Sequence, residues 1–354
     1  MEMPKNPFEN FNRILSAEEI IDIAFRKGEK TSASIPKMAN KMMKAKRKEV
    51  RRVKNVNSYI LKQIKQIVQS VPNLDELHPF YQELSDLLVD DDKFRKNLGK
   101  LNGLIPVFQK IVSETIRNIN SSDDPYACAK YRRQYYARAA SILNGQTKTL
   151  EYLEDTRKKL SRIPTIDTSL PSLVIAGYPN VGKSSLVGRV STANPEICEY
   201  PFTTKKIIIG VYRDKTDTKL FQLIDTPGVL DRPMDQRNEI ERQSILALRT
   251  VSNIVIFMFD PTLSSGYPVE KQIALFQEIK ENLIEVVNVP WFVILNKQDF
   301  ATAEENEFII KEIGLKANQY IQTNAKDGDL DVFVSKVMDI VTKNNLWKME
   351  MKTF

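Results

Sequence analysis

The sequence predicts an α + α/β chain, an N-terminal helical bundle followed by an α/β domain whose mostly parallel sheet is flanked by helices. Three observations predict it. Apolar residues through 1–162 recur at helical spacing. Beyond Ile163-Pro164-Thr165-Ile166-Asp167-Thr168, short apolar runs alternate with helical stretches, as in a parallel sheet with crossover helices. After the first such run comes a loop bracketed by Gly177 and Gly182 and closed by Lys183-Ser184, a spacing that suits a phosphate. The 354 residues are too many for one ordinary domain and suit two. We place them at 1–165 and 166–345, with a short C-terminal tail at 346–354.

In the first part, Ser16-Ala17-Glu18-Glu19 reads as a capping box, and Gly28 as the close of that helix. Pro36 suits the first position of a second helix running to about Ser70, with Ile60, Ile64, Ile67 and Val71 as its apolar stripe. Val71-Pro72-Asn73 breaks it. Further helices are expected over 79–88, 91–120, 125–144 and 146–162, with boundaries near Gly99 and Gly103 left open. In the second part, strands are expected at 173–176, 207–211, 220–224, 254–259 and 292–295, with a short one at 320–323.

Composition narrows the function. Residues 1–165 hold 31 Lys+Arg against 20 Asp+Glu, so the net charge of +7 belongs wholly to this half. That asymmetry points to a polyanionic partner for the helical part. Cys128, Cys198 and His78 fall in different segments, which argues against zinc and against a disulfide framework. No apolar run is long enough to span a bilayer, the first residues do not resemble a secretory signal, and no prenylation cysteine ends the sequence. The expectation is a cytoplasmic monomer with no membrane attachment.

Gly177-Tyr178-Pro179-Asn180-Val181-Gly182-Lys183-Ser184 matches the phosphate-binding pattern in its required place, after a strand and opening a helix. Loop N–H groups, from Gly177 through Asn180, Val181 and Gly182 to Ser185, surround phosphate with positive potential. Lys183 reaches the β- and γ-phosphates, and the Ser184 hydroxyl ligates Mg²⁺. Asp225-Thr226-Pro227-Gly228 ends a strand; Asp225 suits Mg²⁺, and the Gly228 N–H can approach the γ-phosphate. In Tyr200-Pro201-Phe202-Thr203-Thr204, a threonine can bind Mg²⁺ and release it on hydrolysis; we favour Thr204 over Thr203. Asn296-Lys297-Gln298-Asp299 ends another strand. Asp299 can accept two hydrogen bonds from guanine that adenine does not offer, and the Lys297 stem can pack over the base. Asn296 is expected to tether neighbouring loops. In Asn324-Ala325-Lys326, the Ala325 N–H could donate to guanine's carbonyl oxygen. These elements together read as a P-loop domain for GTP and GDP.

The same segments resemble the translation-factor-like GTPases, and residues 200–204 resemble their Obg-related branch. With Pro7-Phe8, Lys130-Tyr131-Arg132-Arg133-Gln134-Tyr135 and Leu170-Pro171-Ser172 added, nearly the whole chain resembles the nucleolar GTP-binding protein 1 family in its short archaeal form. The resemblance implies a GTPase switch in assembly of the large ribosomal subunit, with the helical domain on ribosomal RNA of the pre-large-subunit particle. Functions of the long eukaryotic C-terminal extension do not carry over. Many small GTPases place a water-orienting Gln after the glycine of Asp-x-x-Gly; here Val229 stands there, and either it simply packs the switch or catalysis comes from elsewhere. Asn180 resembles the asparagine of potassium-activated P-loops, which would let K⁺ supply charge beside the phosphates. Lys183, Asn180, Thr204 and Gly228 are the catalytic candidates. A GTP-gated RNA- or protein-binding module with little turnover is the other reading.

Two basic stretches are RNA candidates. Lys37, Lys41, Lys44, Lys48 and Arg51 share one helical face, and nine cations meet only Glu49 between Lys37 and Lys54. Residues 130–138 interleave cations with tyrosines: Arg132 and Arg133 suit phosphates and the rings suit unpaired bases, unless those rings pack the bundle.

Overall fold

The computed structural model describes residues 6–30, 41–192, 194–199, 206–226, 230 and 248–347. Among them the chain forms two compact units. One comprises Pro7–Leu74 and Leu88–Ser161; the other comprises Met1–Asn6, Asp75–Leu87 and Arg162–Phe354.

The helical unit contains α1 (Ala17–Glu29) and α2 (Lys41–Ser70). Past α3 (Pro79–Leu88) come its α4 (Asp91–Ser121), α5 (Pro125–Asn144) and α6 (Thr147–Leu160). The capping box forms: Ser16 Oγ accepts from the Glu19 N–H at 3.1 Å, and the Glu19 carboxylate accepts from the Ser16 N–H at 2.8 Å. Gly28 does not close α1, which continues to Glu29. Its role is close approach, because a Cβ there would lie 2.7 Å from Val56 Cγ2 and collide with the Tyr136 hydroxyl. Gly99 and Gly103 do not interrupt α4, which runs unbroken through them and through Pro106. α2 is central, packing on α1, α4 and α5. Val53, Val56, Ile60 and Ile64 on its inner face join Phe94, Phe108, Ile111, Tyr135 and Leu153 in the core. The polar face is left outward, as amphipathic spacing requires.

The α/β unit carries a seven-stranded sheet in the order β2-β3-β4-β1-β5-β6-β7. The strands are β1 (Ser172–Ala176), β2 (Glu196–Glu199), β3 (Lys206–Arg213), β4 (Lys219–Asp225), β5 (Ile254–Phe259), β6 (Trp291–Leu295) and β7 (Tyr320–Gln322). β4, β1, β5, β6 and β7 run parallel; β3 lies antiparallel to β4, and β2 antiparallel to β3. β1 and β5 are buried along their whole length, as near-continuous apolar strands should be. β2 has no apolar run to announce it: it is an edge strand, with Ile197 62% exposed. The helices are α7 (Lys183–Val190), α8 (Val269–Ile279, extended by a π turn), α9 (Ala303–Glu312) and α10 (Asp331–Lys343).

The change of unit between Ser161 and Arg162 falls close to position 165, but one stretch ahead of it clusters elsewhere. Residues 75–87, including most of α3, belong to the sheet-bearing unit. Phe80 and Leu84 are fully buried, and the Tyr81 hydroxyl accepts from the Ile166 N–H at 3.0 Å and donates to its carbonyl at 3.2 Å. Burial pushes this hydroxyl up to about 12, so it stays a neutral donor.

Candidate functional site

The parallel strands end in register. Ile175 pairs with Asp225, Ala176 with Phe257, Phe259 with Leu295, and Leu295 with Gln322. Each nucleotide-motif segment within the described residues leaves the sheet at this carboxyl edge, where open α/β sheets bind ligands. Among the predicted residues, Thr204 and Gly228, with Val229, lie outside the described residues.

The loop after β1 has the backbone its sequence demands. Gly182 has φ +110° and Asn180 has φ +62°. A side chain on Gly182 would collide with the Asn296 amide, so glycine is required twice over, by conformation and by space. Asn180 is among the residue types that tolerate left-handed backbone, and it is exposed. Lys183, only 6% exposed, donates from Nζ to the Gly177 and Tyr178 carbonyls at 2.7 Å each. Ser184 and Ser185 are exposed at the start of α7, where unpaired helix N–H groups favour an anion. The Ser184 hydroxyl donates to Asp225 Oδ2 at 2.5 Å, and Asp225 is fully buried at the end of β4.

Asn296 joins three loops. Its Nδ2 donates to the Val181 carbonyl at 2.6 Å, and its Oδ1 accepts from the Ala325 N–H at 2.7 Å. The tether expected of Asn296 is present. The Ala325 N–H is thereby committed to a side chain, not offered towards a base as expected. Lys326 N–H donates to Asn324 Oδ1, which closes the same loop. Asp299 is exposed beside Phe300.

One residue the motifs do not indicate is central here. Asp260, fully buried just past β5, accepts from Lys297 Nζ at 2.7 Å. It also accepts from the N–H and hydroxyl of Thr262 and from the Ser265 N–H. Burial alone would raise this carboxyl; the Lys297 and Thr262 hydrogen bonds outweigh it and hold the group below the usual range. Lys297 Nζ also donates to Ser264 Oγ at 2.8 Å, so two partners hold its ammonium. Gln272 on α8 exchanges hydrogen bonds with the Asp260 backbone and locks the turn.

In the helical unit, Lys41, Lys44, Lys48 and Arg51 are all exposed on α2, whereas Lys37 lies outside the described residues. The second stretch divides. Arg133 is exposed, but Arg132 Nε binds Glu49 at 2.6 Å and its NH1 reaches Glu29 at 3.3 Å, leaving its side chain 16% exposed. Arg52 joins the pair, at 2.8 Å from Glu29. The expectation that Arg132 contacts phosphate is corrected: two carboxylates in the bundle hold it. Tyr135 donates to Asn57 Oδ1 at 2.9 Å, and the Tyr136 ring stacks on Phe25 with centroids 4.5 Å apart. Both rings are core, so they pack the bundle and do not stack on bases.

The sheet order, the loop over Lys183 and the three-way tether define a GTP-binding P-loop GTPase domain. Comparison with known proteins agrees: residues 172–297 match the family described as 50S ribosome-binding GTPase, and residues 8–167 match the NOG1 N-terminal helical domain. The chain belongs to the nucleolar GTP-binding protein 1 family. An uncharacterized protein of Methanocaldococcus jannaschii is 35% identical over 86% of this chain and 84% of its own length. Nucleolar GTP-binding protein 1 of Drosophila melanogaster is 34% identical over 84% of this chain, and that of Encephalitozoon cuniculi 32% identical over 91%. The chain spans 45% of the Drosophila protein and 60% of the Encephalitozoon protein.

Proposed function

We propose that this protein hydrolyses GTP to GDP and phosphate as a switch in assembly of the large ribosomal subunit, docking on ribosomal RNA through its helical unit. The observation that carries the proposal is the pairing of two features in one chain. A GTPase domain is joined to a helix presenting Lys41, Lys44, Lys48 and Arg51 outward. The relatives' names and the ribosome-binding description of the GTPase family support the same destination.

The donor set fits Mg²⁺. Ser184 and Asp225 bring a hydroxyl and a buried carboxylate within 2.5 Å of each other, hard oxygen groups of the kind this ion takes alongside phosphates. With Thr204, these residues would hold the ion; when bound, it neutralises charge developing on the β- and γ-phosphates. Lys183 and the α7 N-terminus supply fixed positive potential, and Asp299 with the anchored Lys297 selects guanine. Asn180, exposed at the loop, is the place for K⁺ in place of an arginine finger.

Co-sedimentation with ribosomal particles tests the proposal. We expect retention on large-subunit precursors with a non-hydrolysable GTP analogue and release with GDP. Equal sedimentation in both states rejects the switch. Nucleotide-dependent retention without turnover, in potassium or sodium, favours a GTP-gated docking module.

A further inference from the structure

The exposed cation face of α2 does not stop at Arg51. Continuing the same alternation of three- and four-residue steps gives Asn55, Ser58 and Lys62, so Lys41, Lys44, Lys48, Arg51, Asn55, Ser58 and Lys62 form one stripe. All seven are exposed. At a rise of about 1.5 Å per residue the stripe is about 31 Å long. Its character changes along its length: the first part presents only cations, and the second brings amide and hydroxyl groups between them.

The second part is also concave. Lys27 and Lys30, from α1 and its C-cap, face Arg51, Asn55, Ser58, Tyr59 and Lys62 across a groove of about 560 Å³. Four of its seven lining residues are cations and none is acidic. The Lys27 ammonium lies 4.3 Å from the centroid of the Tyr59 ring, which orients the α1 side of the groove towards α2. Outside the lining, Glu29 pairs with Arg52 and Glu49 with Arg132, while the Glu19 carboxylate acts on Tyr59.

We infer that this α1–α2 groove is a ribose-reading site, which lets the helical unit take RNA in preference to DNA. The inference rests on the RNA docking proposed above and adds a discrimination to it. Cations alone neutralise phosphates and treat RNA and DNA alike. The 2′-hydroxyl is both donor and acceptor, and it is the group by which a protein distinguishes the two. The Asn55 amide and the Ser58 and Tyr59 hydroxyls also both donate and accept. Along α2 they stand between Arg51 and Lys62, on the wall that faces Lys27 and Lys30. A sugar–phosphate edge laid in the groove meets cations at its phosphates and neutral polar groups at its ribose.

The test measures binding of the full chain to an RNA stem-loop and to the DNA stem-loop of the same base order, by fluorescence anisotropy across a salt series. The parent should prefer RNA. Asn55→Ala/Ser58→Ala should lower the RNA-to-DNA affinity ratio by about tenfold, two hydrogen bonds' worth, with little change in salt slope. Tyr59→Phe should lower it less. Arg51→Ala/Lys62→Ala should weaken both nucleic acids together and flatten the slope by roughly 0.7–0.9 for each phosphate no longer neutralised. An unchanged ratio in Asn55→Ala/Ser58→Ala overturns the inference while leaving RNA docking intact. Failure of the parent to bind RNA overturns both. If Arg51→Ala/Lys62→Ala changes neither affinity nor slope, nucleic acid does not use this groove and the inference is again wrong.

Discussion

Residues 41–54 of α2 and residues 130–138 of α5 are both dense in cations, but the fold treats them differently. On α2, Lys41, Lys44, Lys48 and Arg51 are exposed along one face, and among the described residues no ion pair engages them. On α5, Arg132 is drawn inside by Glu29 and Glu49, and its guanidinium lies 5.1 Å from the Tyr136 ring centroid. The GTPase domain follows the α5 pattern: Lys183 is held by two loop carbonyls and Lys297 by Asp260. A cation fixed by buried acceptors sets geometry, and removing it leaves desolvated partners behind. A cation in solvent contributes little to stability and remains able to meet an external phosphate.

The largest effect should come from the most buried cation. Lys183→Ala should lower single-turnover GTP hydrolysis by at least about 10²–10³-fold, the loss typical when one preorganised positive donor is removed. A parental rate in that variant would show that Lys183 only ties its loop. Next comes Arg132→Ala, which leaves Glu49, a side chain 9% exposed, with Arg52 at 3.6 Å as its remaining partner. A buried pair broken outright costs about 3–5 kcal/mol; with Arg52 retained we expect about 2–3 kcal/mol in the helical unit. Arg133→Ala, one residue along and exposed, should fall within about 0.5 kcal/mol of the parent. Native-state hydrogen exchange of the α2 and α5 amides reads this unit separately, which a whole-chain melt of two units does not. Equal losses in the two variants would erase the contrast.

The comparison also explains what the sequence can show. The phosphate loop is legible because its information is local: Gly182, Lys183 and Ser184 stand in fixed spacing after a strand. The Asn296 tether is legible for a related reason, since a loop-joining amide follows from the motif's place at a strand end. Asp260 is not legible. It stands in no pattern, and its meaning comes from Lys297, which lies 37 residues later and meets it through β5–β6 pairing. Arg132 misleads a sequence reading because its partners are 83 and 103 residues away, on α2 and α1. The helical character of 79–88 is readable from spacing, but its membership of the sheet-bearing unit depends on Tyr81 meeting Ile166, 85 residues on. β2 escapes because an edge strand of two glutamates, one isoleucine and one cysteine carries no alternation to read.

The smallest effect on the folded protein should come from Lys41→Glu/Lys44→Glu/Lys48→Glu. All three residues are exposed, and reversal brings no carboxylate into the core. The helix also tolerates it, since Glu and Lys have similar helix propensity and acidic residues suit the first turn of α2, which has none. Stability of the helical unit should stay within about 1 kcal/mol of the parent. Affinity for RNA should nevertheless fall steeply, because each of the three positions changes from releasing counterions to repelling phosphate. The log–log salt slope should flatten by roughly 0.7–0.9 for each phosphate no longer neutralised. GTP affinity should not change, because the nucleotide motifs lie in the other compact unit. The measurement is RNA binding at several salt concentrations, with hydrogen exchange on the same preparation. Loss of binding with parental protection assigns these lysines to phosphate. A parental slope would make the α2 face plain solvated surface. A slope lost together with α2 protection would mean that the outward cations, like Arg132, help hold the bundle.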